Sequence, residues 1–242
     1  MIVLLSGEGP TDCGTRDRNG SFKPGPMARF VDRLLEPLWQ FSVLEMNAVE
    51  FLSESELTLV CRKMDKALVL PGKKRKEAGT AYYFKNARGL AKCAREREQE
   101  EGCPFMAILF RDSDGTRSTR KGLWQEKWES VNRGFLAEGF DCGVPMVPNP
   151  KSEAWLLCAL QEHPYNNCAR WEKLSGNDKS PKSAKGVLAQ KLDNAFGCGA
   201  SADEINDLLD AGKVQPTQIQ MPSFDAFRKR LEEVGQEMLS KP

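Results

Sequence analysis

Five carboxylates in three short stretches carry the chemistry of this sequence. Glu8 and Asp12 stand in "SGEGPTD", Asp112 and Asp114 in "FRDSDG", and Glu153 in "PNPKSEAW". Each stretch follows an apolar run: "MIVLLS", "FMAILF" and "GVPMVP". If those runs are neighbouring parallel strands, the five acids converge at one sheet edge, where chemistry gathers in such sheets. Crowded carboxylates repel one another and bind protons more tightly unless a cation sits among them. Their hard oxygens suit Mg²⁺ or Mn²⁺. Two such ions about 4 Å apart activate a water and stabilise the leaving oxygen of a phosphodiester. Singly, each acid also has a plainer role. Asp114-Gly115 is a turn dipeptide, and Glu8, Asp12 and Glu153 suit loops and helix starts. Their joint placement at three strand ends is what points to chemistry.

The intervening segments supply the elements that would position them. "MIVLLS" reads as a first strand, followed by a Gly/Pro-rich loop from Gly7 to Pro26. Residues 27–39 have helical spacing, with Pro37 ending or kinking that helix. "FSVLEMNAV" (41–49) reads as a strand, and "SESELTLVCRKM" as a helix behind an N-cap serine. "ALVLPG" reads as a short strand or turn, and "YYFKNARGLAKCARERE" (82–98) as a basic helix. After the strand at 105–110 comes a helix over 119–138 with Trp124, Trp128 and Phe135 on its buried face. The strand at 143–148 leads into the helix "SEAWLLCAL". Beyond residue 162, helices are expected near 182–196, 201–211 and 223–239. Strands alternating with helices imply an α/β fold, a mostly parallel Rossmann-like sheet flanked by helices. The expected division is a catalytic core over 1–162 and a mostly helical extension over 163–242 packed on it.

Composition narrows the classes. With 242 residues, 40% hydrophobic and 29% charged, the chain has enough apolar material for a sizeable core. The N-terminus is apolar for five residues without a basic lead-in, and no apolar run approaches the ~18 residues of a membrane span. A cytoplasmic protein with no membrane partner is the expectation. The eight cysteines form no C-x-x-C pair and there is one histidine, His163, so zinc is disfavoured and reduced thiols are expected. Net charge is +1, but basic residues crowd the segment from Arg62 to Arg97. Lys73, Lys74, Arg75 and Lys76, with Arg117, Arg120 and Lys121 after the D-x-D pair, are candidates to hold a phosphate backbone. The plainer alternative is a solvated helix face balanced by the acidic "EQEE" that follows.

"GEGPTD", "FRDSDG" and "PKSEAWL" resemble the three acidic motifs of the TOPRIM fold. The first is closest to TOPRIM domains of OLD-type nucleases and to small stand-alone TOPRIM-like proteins of bacterial defence or mobile elements. The resemblance covers roughly residues 1–160. It implies metal-dependent cleavage of DNA or RNA, with Mg²⁺ or Mn²⁺ at Glu8, Asp12, Asp112, Asp114 and Glu153. Glu8 is then also a general acid/base, and Lys151, beside Glu153, a cation for the scissile phosphate. Unlike OLD proteins, the chain has no G-x-x-x-x-G-K-[ST], so an ATPase would have to be a separate partner. A homodimer would let two such sites address a duplex.

"ILFRDSDGT" also resembles the first motif of haloacid-dehalogenase-type phosphatases, with Asp112 as nucleophile and Asp114 as general acid/base. That family places the motif near the start of its core, whereas here about 110 residues precede it. It also needs a later Ser/Thr at a strand end and a lysine, for which Ser152 and Lys151 are candidates, and an acidic pair after another strand, whose candidates in "ASADEINDLLD" fall in a helical pattern. It gives Glu8 and Asp12 no role. A third class is a TOPRIM-like nucleic-acid-binding module without catalysis, against which stands the retention of every acidic position.

Overall fold

The computed structural model describes residues 1–9, 12–67, 80–114 and 123–240. Four strands form one all-parallel sheet: β1 (Ile2–Gly7), β4 (Val49–Ser53), β5 (Phe105–Phe110) and β6 (Gly143–Met146), in the order β4-β1-β5-β6. β5 is buried at every position, which is why "FMAILF" is an unbroken apolar run. The protein is therefore an α/β fold with a parallel sheet flanked by helices.

The order of the strands follows from the direction of their crossovers. From β1 the chain passes through α1 (Pro26–Trp39) outward to β4. It then crosses back over β1 through α2 (Glu54–Ala67) and α3 (Ala81–Glu101) to β5. From β5 it continues in the same direction through α4 (Leu123–Ala137) to β6. Right-handed crossovers running in opposite directions put their helices on opposite faces. Accordingly α3 packs on α2 and α4, while α1 packs on the C-terminal helices α7 (Ala202–Asp210) and α8 (Pro222–Ser240). The connections leaving β1 and β5 thus diverge, and a crevice opens between these two strand ends.

Two local features differ from the sequence expectation. The segment 41–48 is turns, and the strand begins only at Val49. The buried Asp32 carboxylate on α1 accepts hydrogen bonds from Ser42 Oγ (2.8 Å) and Leu44 N–H (3.2 Å), and this folds the segment before it can extend. The loop from Gly7 to Pro26 holds a small antiparallel hairpin, β2 (Gly14–Arg16) and β3 (Phe22–Pro24). Pro37 lies in the last turn of α1, which ends two residues later at Trp39. "ALVLPG" falls largely outside the described residues.

α5 (Ser152–Leu160) and α6 (Ala184–Phe196) complete the α-helices among the described residues. The extension is joined to the core through aromatic packing. Trp155 of α5 stacks on Phe227 and meets Phe224 edge-on, and its indole N–H donates to Ser223 Oγ at 2.9 Å. A disulfide joins Cys158 to Cys168, contrary to the expected all-reduced set. Its cause is the return of the chain onto α5, where Tyr165 N–H donates to the Cys158 carbonyl. Among the described residues no helix is long and apolar enough to cross a membrane.

Candidate active site

β1 ends in Gly7, and the loop after it turns back so tightly that a Cβ at Gly7 would sit 2.2 Å from the Cys13 sulfur. Glycine is the residue that permits this, and the turn brings Glu8 and Asp12 near the buried Cys13, whose thiol both carboxylates act on. Across the crevice, the Asp112 N–H at the end of β5 donates to Glu8 Oε1 at 2.6 Å. From the third element, Ser152 reaches both. Its N–H donates to Asp112 Oδ1 at 3.1 Å, and its hydroxyl donates to Asp12 Oδ1 at 2.6 Å. Ser152 opens α5, so this N–H is one of the unpaired amides of a helix start, and the Asp112 carboxylate caps it from outside. The sequence-predicted acids at the three strand ends therefore meet at one edge.

The D-S-D turn is held on all sides. The Asp112 carbonyl accepts the Tyr83 hydroxyl of α3 at 2.7 Å. The Ser113 N–H donates to the carbonyls of Pro148 and Pro150, and the Ser113 carbonyl accepts the Lys127 ammonium of α4. Lys127 is 2% exposed; burial lowers its proton affinity, while Asp114 and Glu8 oppose that. Asp114 pairs with Lys151 at 3.1 Å, and Lys151 also pairs with Asp178 at 3.0 Å. Burial alone would loosen the Lys151 proton, but its hydrogen bonds to Asp178 and Asp114 outweigh that and hold it as a firm cation.

The electrostatics show how close the acids lie. Burial pushes the Asp112 carboxyl well above its ordinary range, and Asp12, Glu8, Glu153 and Asp114 all add to the shift. Burial likewise raises Glu8, against the pull of Arg111 and the Asp112 N–H. It raises Glu153 too, with Asp12 adding and Lys151 and Lys185 opposing. Arg111 is fully buried, gives Nη1 to the Phe110 carbonyl at 2.9 Å, and leaves Nε and Nη2 without hydrogen-bond partners. Glu153 Oε2 is likewise buried and unpartnered. A cleft of about 610 Å³, bordered by Gly7, Gly9, Arg16, Phe51 and Glu54, opens beside this edge. A separate cavity of about 90 Å³ is lined by Asp12, Ser152, Glu153 and Lys185 together with apolar side chains of α1, α5, α6 and α7.

As donors, these hard carboxylate oxygens fit Mg²⁺ or Mn²⁺, and the orphaned Glu153 oxygen is of the same type. Among the described residues, however, no group of three or more His, Cys, Asp or Glu is arranged to hold a metal ion. Glu8, Asp12, Asp112 and Asp114 each give an oxygen to a protein donor or cation instead.

The other sequence candidates fare differently. Lys73, Lys74, Arg75, Lys76, Arg117, Arg120 and Lys121 lie outside the described residues. On α3, the basic face is largely spent on neighbours: Arg88 pairs with Glu138, Lys92 with Glu96, and Arg97 with Glu50. Tyr83, Lys127, Asp178 and Lys185 reach this edge from outside the three acidic stretches, while Arg111 and Ser152 stand within them as residues of no expected metal-binding type. Lys127 had a visible signal, because it falls between Trp124 and Val131 on the buried stripe of α4. The late acids lie in a helix, as their pattern predicts: Asp203 and Asp210 are on α7 and pair with Lys23 and Arg29. Compared with known proteins, the chain matches no family model, no curated protein and no solved structure.

Proposed function

We propose that this protein is a metal-dependent nuclease that cleaves phosphodiester bonds of DNA or RNA. The observation that carries the reading is Asp112. Its carboxyl lies buried beside four other acids from three strand ends, in the crevice where the connections of β1 and β5 diverge; burial raises its proton affinity and those acids add to the rise. A cluster of this charge is costly without a cation. Glu8, Asp12, Asp112, Asp114 and Glu153 would hold Mg²⁺ or Mn²⁺, which when bound lowers the proton affinity of a water and neutralises charge on the phosphate. Glu8, with its raised proton affinity, takes and returns the proton at Oε2, while Oε1 stays on the Asp112 N–H. Lys151 meets the charge that develops on the phosphate. The TOPRIM-type assignment, a role in defence or mobile elements, a homodimer and a separate ATPase partner belong to this proposal as well.

A phosphatase of the haloacid-dehalogenase type has one observation in its favour: Ser152 and Lys151 do contact Asp112 and Asp114. It leaves unexplained why Glu8 binds the Asp112 amide. The test is hydrolysis of a chromogenic phosphodiester and the matching monoester, with Mg²⁺ or Mn²⁺, by the wild type and Glu8→Ala. Diester cleavage that is lost in Glu8→Ala supports the nuclease. Monoester cleavage that survives it supports the phosphatase.

A further inference from the structure

Resting on the nuclease reading, we propose that the segment 175–185, "SGNDKSPKSAK", the loop before α6 with that helix's first two residues, is the surface that grips the phosphate backbone of the nucleic-acid strand at the acidic edge. The loop is closed on itself. Ser175 N–H donates to the Lys182 carbonyl, Ala184 N–H to the Ser175 carbonyl, and Ser183 N–H to the Ser180 carbonyl. Side chains brace it further, with Ser175 Oγ, Asn177 Oδ1 and Ser180 Oγ each accepting an N–H from two residues on. It is therefore a shaped platform.

It also touches the acids on two sides. Gly176 packs so tightly that a Cβ there would sit 2.2 Å from the Asp114 Cβ, and Asp178 holds Lys151. At the other end, Lys185 lowers the Glu153 proton affinity and lines the cavity shared with Asp12 and Ser152. Lys179, Lys182 and Lys185 recur at every third position, all exposed. Among the described residues no carboxylate lies within ion-pair distance of these three, in contrast to the neutralised face of α3. Exposed cations that form no ion pair among the described residues, set beside an acidic edge, fit a polyanion that must be held there against the repulsion of the carboxylates. Contacts of this kind go to phosphates, so they give affinity and salt dependence without base preference.

The test is fluorescence anisotropy of a labelled single-stranded DNA, and of the RNA of the same sequence, titrated in EDTA with the full chain over a salt series. The proteins are wild type, a Lys179→Gln/Lys182→Gln/Lys185→Gln triple variant and the corresponding Lys→Arg triple. Wild type is expected to bind with affinity that falls steeply with salt. The Gln triple should bind about tenfold or more weakly at low salt, with the log–log salt slope reduced by about 2. The Arg triple should retain both affinity and slope. Equal affinity and slope in wild type and the Gln triple would overturn the assignment of this loop and leave the nuclease reading intact. Failure of wild type to bind either strand would overturn both.

Discussion

The Glu8 carboxylate accepts the Asp112 N–H at 2.6 Å, and so ties the end of β1 to the end of β5 across 104 positions of sequence. The bond lies at the divergence of the two crossovers. It makes one unit of two motifs that each have an ordinary turn explanation when taken apart. Changes that leave this edge folded but alter one contact therefore separate the roles of its members.

Ser152 gives both of its donors to the acids, N–H to Asp112 and hydroxyl to Asp12. Ser152→Ala removes only the second. Turnover should fall about tenfold with little change in KM, and stability should change by about 1 kcal/mol. Steady-state kinetics beside denaturant unfolding measure this, and wild-type turnover would deny Asp12 a part in the site.

Tyr83 and Lys127 hold the carbonyls of Asp112 and Ser113 from two different helices. Tyr83→Phe leaves the Asp112 carbonyl without its donor, at a cost of about 1 kcal/mol. Lys127→Met removes a buried cation of similar length and should cost more, about 1–3 kcal/mol. In both, kcat should fall while substrate binding stays near normal, because the D-S-D turn loosens and the basic surface is untouched. A rise in KM alone would contradict a positioning role.

Burial is the main cause of the raised proton affinity of Asp112, Glu8 and Glu153, and repulsion between them adds to it. A carboxyl whose folded pKa exceeds its unfolded one contributes stability that is complete below the unfolded value, about 4, and is lost as pH rises through the folded value. The metal-free protein should therefore melt higher near about pH 5 than near about pH 8. Asp112→Asn keeps the acceptor for Ser152 and removes one charge, so at the higher pH it should melt about 2–4 °C above wild type. Thermal unfolding in EDTA checks both; a variant melting below wild type at that pH would show that the acids do not strain the fold.

Gly176 has a backbone open to any residue, so its importance is steric: a Cβ would meet Asp114 at 2.2 Å and Pro150 at 3.1 Å. Gly176→Ala should lift the 175–185 loop from the acidic edge, cost about 1–3 kcal/mol, and lower activity. Limited proteolysis should then cut within the loop earlier than in wild type. An unchanged cleavage pattern would mean that Asp114 yields instead.

The sheet and most helices were legible because apolar periodicity reports burial directly, as the six buried residues of "FMAILF" show. The acidic edge was legible because each acidic stretch follows such a run within a few residues. What escaped depends on partners far away in sequence. Residues 41–48 have strand-like composition, but Asp32 captures Ser42 and Leu44. The basic face of α3 reads as a phosphate track until Glu138 and Glu50 are set against it. The Cys158–Cys168 bond needs the chain to return onto α5, and no spacing rule announces that. Asp178 and Lys185 lie in a segment whose Asn, Ser and Gly content says only loop, while its docking against Asp114 is a property of the fold.

The most direct measurement is nicking of supercoiled plasmid by the purified protein with Mn²⁺, Mg²⁺ or EDTA, beside Glu8→Gln and Asp112→Asn. Nicking should require a divalent cation and should fall at least about a hundredfold in both variants, while their folds persist. Nicking that continues in EDTA, or that survives loss of either carboxylate, would contradict a catalytic centre at the junction of β1 and β5.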